Sequence, residues 1–168
     1  MVDGPPCQKP RVASRGARAP LYTPEERRRR DDSVWTLVQG VLAPAQFLVC
    51  LVSAALVARF LLTGAGYEAA NLSVLVKTGF LYAIMVTGSI WEKRVFGRWL
   101  FAPAFFWEDV FSFAVIALHT AYLWALATGS LGPRDLMTLA LAAYAAYAIN
   151  AAQFLLKLRR ARLEWSPI

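Results

Sequence analysis

Phe101-Ala102-Pro103-Ala104-Phe105-Phe106-Trp107-Glu108-Asp109-Val110-Phe111-Ser112 opens an apolar segment that runs to about Thr128. A membrane-crossing helix needs about 20 mainly apolar residues, and this segment is long enough. Yet two adjacent carboxylates, Glu108 and Asp109, sit near its start, and the only histidine, His119, lies further along it. Ionisable side chains within such a helix are costly and usually face protein, so they are functional candidates by default. The rest of the chain reads as a frame that makes these groups tolerable.

Upstream, apolar residues predict a helix from about Ala69 to Trp91, followed by the basic loop Glu92-Lys93-Arg94-Val95-Phe96-Gly97-Arg98. Gly97 suits a helix-ending turn. An earlier apolar helix is expected from about Trp35 to Thr63, kinked at Pro44 and closed by Gly64-Ala65-Gly66. Ahead of it, Thr23-Pro24-Glu25-Glu26 has the order of a capping box with proline at the first helical position, and leads into Arg27-Arg28-Arg29-Arg30. Downstream of the opening segment, which is read as a helix from Pro103 to Thr128, Gly129-Ser130-Leu131-Gly132 makes a turn. An alanine-rich helix then runs from Pro133 to about Leu158, with small residues that permit close packing in lipid.

These segments predict an all-α integral membrane four-helix bundle. The arginine run, the 92–98 loop and the end of the chain (Lys157, Arg159, Arg160, Arg162) are basic, whereas the loops near 64–68 and 129–135 carry little positive charge. The positive-inside pattern then puts both termini in the cytoplasm. The expected division is a disordered cytoplasmic tail over 1–21, rich in proline and without a secretory h-region, a transmembrane domain over 22–163, and a short tail over 164–168.

Composition agrees. Of 168 residues, 58% are hydrophobic and 17% charged, and the mean hydropathy is +0.43. The net charge of +7 comes from membrane-flanking positions, where topology and anionic lipid account for it, so nucleic acid is not an expected partner. Cys7 in the tail and Cys50 in an apolar helix form neither a metal motif nor a disulfide framework.

The polar residues inside the helices carry the chemistry. Glu108, Ser112, Val115 and His119 form one helical stripe, while Asp109 points about 100° away, toward a neighbouring helix. Glu92 ends its helix on the same side of the membrane, so three carboxylates can meet beneath the cytoplasmic surface. A neutral carboxylic acid beside an ionised one is a usable acid–base pair; the bland alternative pairs Glu92 and Asp109 with Lys93, Arg94 or Arg98. Gln39 and Gln46 share a face, as interhelical hydrogen bonders or as contacts to a polar ligand edge, and Tyr147, Asn150 and Phe154 share another. Lys77 is placed to snorkel to the far surface. A di-iron bundle would need several carboxylates and two Glu-x-x-His pairs, and no metal site is expected. There is no phosphate loop, nucleotide fingerprint or nucleophile elbow.

The strings Val86-Thr87-Gly88-Ser89-Ile90-Trp91-Glu92-Lys93, Phe96-Gly97, Leu100 to Asp109 and Ala117-Leu118-His119-Thr120-Ala121-Tyr122 resemble the 3-vinyl bacteriochlorophyllide hydratases. So do Tyr22-Thr23-Pro24-Glu25 with the arginines and Trp35-Thr36-Leu37-Val38-Gln39-Gly40-Val41-Leu42-Ala43-Pro44. The likeness runs from Leu21 to the last helix. It implies a lyase of bacteriochlorophyll biosynthesis in a bacterial cytoplasmic or intracytoplasmic photosynthetic membrane. The enzyme would add water across the C3 vinyl group of a magnesium chlorin to give a 1-hydroxyethyl group. The implied partners are the magnesium tetrapyrrole, the lipid bilayer and other pigment-biosynthesis enzymes. No cofactor is expected, because the magnesium arrives with the substrate. The resemblance assigns no catalytic residue.

From the residues themselves, Glu108 is expected to be the acid, held neutral by burial against Phe105 and Trp107, with Asp109 or Glu92 as base. Phe105, Phe106 and Trp107 either pack against the macrocycle or form the interfacial aromatic belt. Ser112, Gln39 and Asn150 are the polar contacts expected for substrate. His119 is a further contact, but roughly 16 Å of helical rise separates it from Glu108, so an acid at Glu108 and a magnesium ligand at His119 do not easily serve one macrocycle. The rival functions are a non-catalytic tetrapyrrole-binding or assembly protein and, on intramembrane charge alone, a small transporter.

Overall fold

The computed structural model describes residues 21–163, with side chains through residue 160. The tail expected over 1–21 lies outside the described residues except for Leu21, as do Cys7, the side chain of Arg162 and the 164–168 tail. The described chain is all helical: α1 (Pro24–Asp31), α2 (Val34–Thr63), α3 (Tyr67–Phe96), α4 (Phe106–Thr128) and α5 (Pro133–Leu163). Helices α2 to α5 are the four long and apolar enough to cross a membrane. The fifth, α1, is the short basic helix expected after Thr23.

The α1 capping box forms. Thr23 Oγ1 accepts from the Glu26 amide at 3.2 Å, and Glu26 Oε2 accepts from the Thr23 amide at 2.8 Å. Such a cap contributes about 1 kcal/mol. It matters here because α1 buries none of its own side chains. Its end is tied down by a relay in which the Trp91 indole donates to Thr36 Oγ1 at 2.9 Å and Thr36 Oγ1 donates to the Arg30 carbonyl at 2.6 Å. Helix α2 continues through Pro44.

Two antiparallel hairpins, α2–α3 and α4–α5, account for most of the helix packing, and the seam between the hairpins is more thinly packed. The half of the bundle away from α1 has an ordinary core that includes Val57, Val74, Tyr122, Met137 and Ala140. Polar side chains bind helix to helix there: Ser53 Oγ lies 2.6 Å from Tyr144 Oη and Tyr122 Oη donates to Asn71 Oδ1 at 2.7 Å. Interhelical hydrogen bonds of this kind contribute about 0.6 kcal/mol each in lipid. Outward faces carry apolar side chains such as Leu37, Leu48 and Leu62, the distribution expected of a surface in contact with hydrocarbon.

Three expectations need correction. Helix α3 extends through Phe96, so Glu92 lies one turn inside the helix rather than at its end. Helix α4 begins at Phe106, not Pro103; residues 97–105 form a loop whose backbone is held by side chains, as described below. Lys77 does not snorkel. It is 0% exposed, and its Nζ lies 4.0 Å above the Tyr147 ring.

Candidate functional site

Gly97 closes α3 in the left-handed region, at φ 78°, and turns the chain into the loop that leads to α4. Phe101 is also left-handed, at φ 58°, a conformation that disfavours a bulky side chain. Two carboxyls hold it there. The Phe101 amide donates to Asp109 Oδ2 at 2.7 Å, and the next amide, Ala102, donates to Glu92 Oε2 at 3.2 Å. Asp109 thus reaches the helix that its 100° offset from Glu108 predicted. These bonds fix the backbone of the loop just ahead of Pro103, and α4 starts three residues later, at Phe106.

Glu92 and Asp109 are each 4% exposed, and their carboxyl groups lie within electrostatic range of one another. An ionised carboxylate only accepts, so a direct bond between the two side chains becomes available when one of them carries a proton. One loop amide donates to an oxygen of each.

Glu108 takes a different partner. Lys157 Nζ, on α5, lies 2.6 Å from Glu108 Oε2 and 5.0 Å from the centre of the Phe105 ring. The expected partners of Glu108 are Phe105 and Trp107; the structure adds this contact with Lys157. Glu108 stays within electrostatic range of Asp109, but the three carboxylates do not converge on one point. None of Lys93, Arg94 or Arg98 forms an ion pair with them. Lys157 escaped the sequence reading even though it continues the stripe of Tyr147, Asn150 and Phe154 by one more turn.

Phe105 is 2% exposed and lies at the centre of an aromatic cluster. Phe154 stacks on it at 5.7 Å, Trp91 meets it edge-on at 5.7 Å, and Tyr22 and Phe96 complete the group. Burial pushes the Tyr22 hydroxyl above its ordinary range, with the nearby Arg30 opposing. Phe106 and Trp107 face outward, Trp107 at 66% exposure, so Trp107 does not bury Glu108. Phe106 packs on exposed Phe101 at 5.6 Å, and Phe101 stacks on Phe113 at 5.5 Å. An aromatic surface thus borders the loop that carries the two amides.

The remaining sequence candidates lie elsewhere. Ser112 Oγ accepts from Asn150 Nδ2 at 2.8 Å rather than orienting Glu108. Gln39 Nε2 donates to Thr87 Oγ1 at 2.7 Å, the interhelical role. His119 is buried, with Nδ1 at 2.8 Å from the Val115 carbonyl. Among the described residues, no group of three or more His, Cys, Asp or Glu side chains is arranged to hold a metal ion. A surface depression of about 360 Å³ lined by Glu68, Ala69, Asn71, Leu72 and Leu75 lies at the other end of α3, roughly 36 Å of helical rise from Glu92. It is an open depression along one helix, remote from every carboxyl described above.

A family model described as 2-vinyl bacteriochlorophyllide hydratase (BCHF) matches residues 22–160. The chain belongs to the 2-vinyl bacteriochlorophyllide hydratase family. A 2-vinyl bacteriochlorophyllide hydratase of Rhodobacter capsulatus is 68% identical over 149 residues, covering 88% of this chain and 86% of the relative. The protein of that name from Cereibacter sphaeroides is 68% identical over 145 residues, covering 86% of this chain and 89% of the relative. No solved structure matches the chain. The resemblance seen in the sequence is to the same hydratase family, with the vinyl-bearing carbon numbered 3 rather than 2. Every residue of the carboxyl pair, the ion pair and the aromatic cluster lies inside the stretch matched to the hydratase family.

Proposed function

We infer that this protein is a hydratase of bacteriochlorophyll biosynthesis, adding water across a vinyl group of a bacteriochlorophyllide-type magnesium tetrapyrrole. Membership of the family supports the reaction, and the buried, neighbouring carboxyls of Glu92 and Asp109, held by two consecutive loop amides, are the observation that supports a mechanism in which they share one proton. The vinyl group is taken as the one at C3 of the macrocycle, and the product carries a 1-hydroxyethyl group there.

The chemistry follows from the proton inventory of the pair. The protonated carboxyl gives its proton to the terminal vinyl carbon. The positive charge forms on the inner carbon, next to the macrocycle, which delocalises it. Glu108, paired with Lys157, lies on the same side of the bundle as the pair and can favour that charge electrostatically. Water attacks the inner carbon. The pair, left with two negative charges side by side, takes the proton that the attacking water releases, which restores its starting state. One water enters, no proton is left over, and no redox or nucleotide cofactor is needed. Loop amides at Phe101 and Ala102 hold the two carboxyls in place through both steps.

The pair lies near the end of the bundle that bears the arginine run, and we place that end and both termini in the cytoplasm. Water reaches the carboxyls from that side while the macrocycle remains among apolar side chains. The protein works in a bacterial photosynthetic membrane, where substrate and product pass to and from other pigment enzymes. Purified protein incubated with a vinyl-bearing magnesium chlorin in H₂¹⁸O should yield a product heavier by one labelled water. Binding without turnover would return the protein to a non-catalytic pigment-binding role.

A further inference from the structure

The seam between the two hairpins contains buried polar atoms that nothing in the fold satisfies. Lys77 Nζ on α3, Gln46 Oε1 on α2, His119 Nε2 on α4 and Asn150 Oδ1 on α5 are buried without a hydrogen-bond partner among the described residues, as is Gln153 Oε1, also on α5. The first four come one from each of the long helices. Lys77 is 0% exposed, and Gln46 and His119 are each 1% exposed. A buried polar group left unpaired costs about 1–3 kcal/mol, and several on facing helices are the mark of a site that something else completes. Lys77 forms no ion pair, and its Nζ rests only on the Tyr147 ring, 4.0 Å away. His119 lies within electrostatic range of it and is 5.9 Å from Tyr144.

The tautomer of His119 is set by its surroundings. With Nδ1–H donating to the Val115 carbonyl at 2.8 Å, the free Nε2 is an acceptor. Gln46 Oε1 and Asn150 Oδ1 accept as well, so among these four atoms Lys77 Nζ is the donor. Its complement is an oxygen. Tyr147, beneath Lys77, precedes Lys157 by ten residues, roughly 15 Å of rise. Along α3 the backbone rise from Glu92 to Lys77 is roughly 22 Å, and the Glu92 side chain leans toward Lys77, because helical side chains tilt toward the N-terminus. A tetrapyrrole bearing an extended side chain spans the lower part of that range.

We propose that Lys77 is a substrate-binding residue, donating to an oxygen on the macrocycle edge opposite the vinyl group while that vinyl group lies at the Glu92–Asp109 pair. The inference rests on the hydratase reading for the identity of the ligand. Two oxygens of the substrate class meet the requirement, a ring ketone and a side-chain carboxylate. The macrocycle then lies lengthwise in the thinly packed seam between the hairpins, and binding parts them. Lys77 thereby selects which edge of the macrocycle is presented to the acid.

The test is equilibrium binding to the full-length protein in lipid nanodiscs, read from the pigment's absorbance. Three magnesium chlorins are compared: the parent, its methyl ester and a derivative with the ring ketone replaced by CH₂. Wild-type protein should lose about 10- to 100-fold in affinity for the derivative that lacks the contacted carboxylate charge or ketone oxygen, the range for one hydrogen bond to a charged group. Lys77→Met should weaken binding of the parent by the same factor and abolish that discrimination, raising KM with kcat little changed. The wild-type series keeps the idea testable even if the variant fails to fold. Equal wild-type affinity for all three chlorins, or a folded Lys77→Met that binds and discriminates like wild type, overturns the proposal. Failure of the hydratase reading is separately visible, because it abolishes turnover of the parent in wild-type protein.

Discussion

Asp109→Asn is the substitution that isolates the proton of the carboxyl pair. The amide oxygen can still accept from the Phe101 amide, which now lies 2.7 Å from Asp109 Oδ2. The new NH₂ can donate to Glu92. Shape is therefore retained, while one of the two acids between which a proton can pass is gone. Loss of general acid–base catalysis typically costs about 10²- to 10⁴-fold, and kcat should fall by that amount with pigment affinity within about twofold of wild type, since the amide keeps the shape of the acid and only the proton transfer is lost. Asp109→Ala makes a contrasting control. It leaves the Phe101 amide unpaired at a left-handed residue, at a cost of about 1–3 kcal/mol, and should lower thermal stability as well as activity. The assay is single-turnover formation of the hydroxyethyl product beside pigment binding. Asp109→Asn protein that binds pigment and turns over within about tenfold of wild type would refute the proton-sharing mechanism.

Two further outcomes follow from the same arrangement. Glu108→Gln and Lys157→Met should each reduce turnover by about tenfold or more, and the double variant should be no worse than the poorer single, because each removes the same 2.6 Å ion pair; additive losses would show that the two residues act separately. In a Cys7→Ser, Cys50→Ala background, single cysteines at residues 66 and 131 should react with a membrane-impermeant thiol reagent from the side opposite residue 97, and labelling of all three from one side would overturn the proposed topology.

The spans were legible in the sequence because each is a long apolar run between turn residues, and hydropathy depends on nothing beyond the run itself. The Thr23 cap and the Gly97 stop were legible because they are local: one hydrogen-bonded turn and one left-handed residue. Asp109 was placed toward another helix from its 100° offset alone. What could not be read was register between helices. Whether Glu108 faces Lys157, or Lys77 faces Tyr147, depends on how far one helix slides along another, and no single helix encodes that. The loop boundaries failed for a related reason. Pro103 is acceptable in a first helical turn, but Glu92 and Asp109 claim the amides of residues 101 and 102 just ahead of it, and those long-range bonds are invisible to the local preference.

The carboxyl pair also staples α3 to the loop and to α4, so a structural role has to be weighed against a catalytic one. A staple needs only two acceptors for the Phe101 and Ala102 amides and one bond between the side chains. An amide opposite a carboxylate, or two amides, would provide all three without requiring a captured proton. Two acids buried side by side, each 4% exposed, repel one another unless one is protonated, which ties the staple to a condition that serves packing in no way. What such a pair adds over the alternatives is a proton it can release and recover. Addition of water to a vinyl group needs that cycle once per turnover. The catalytic reading therefore explains a feature that the structural reading leaves as a cost, and it explains why both residues are acids rather than one.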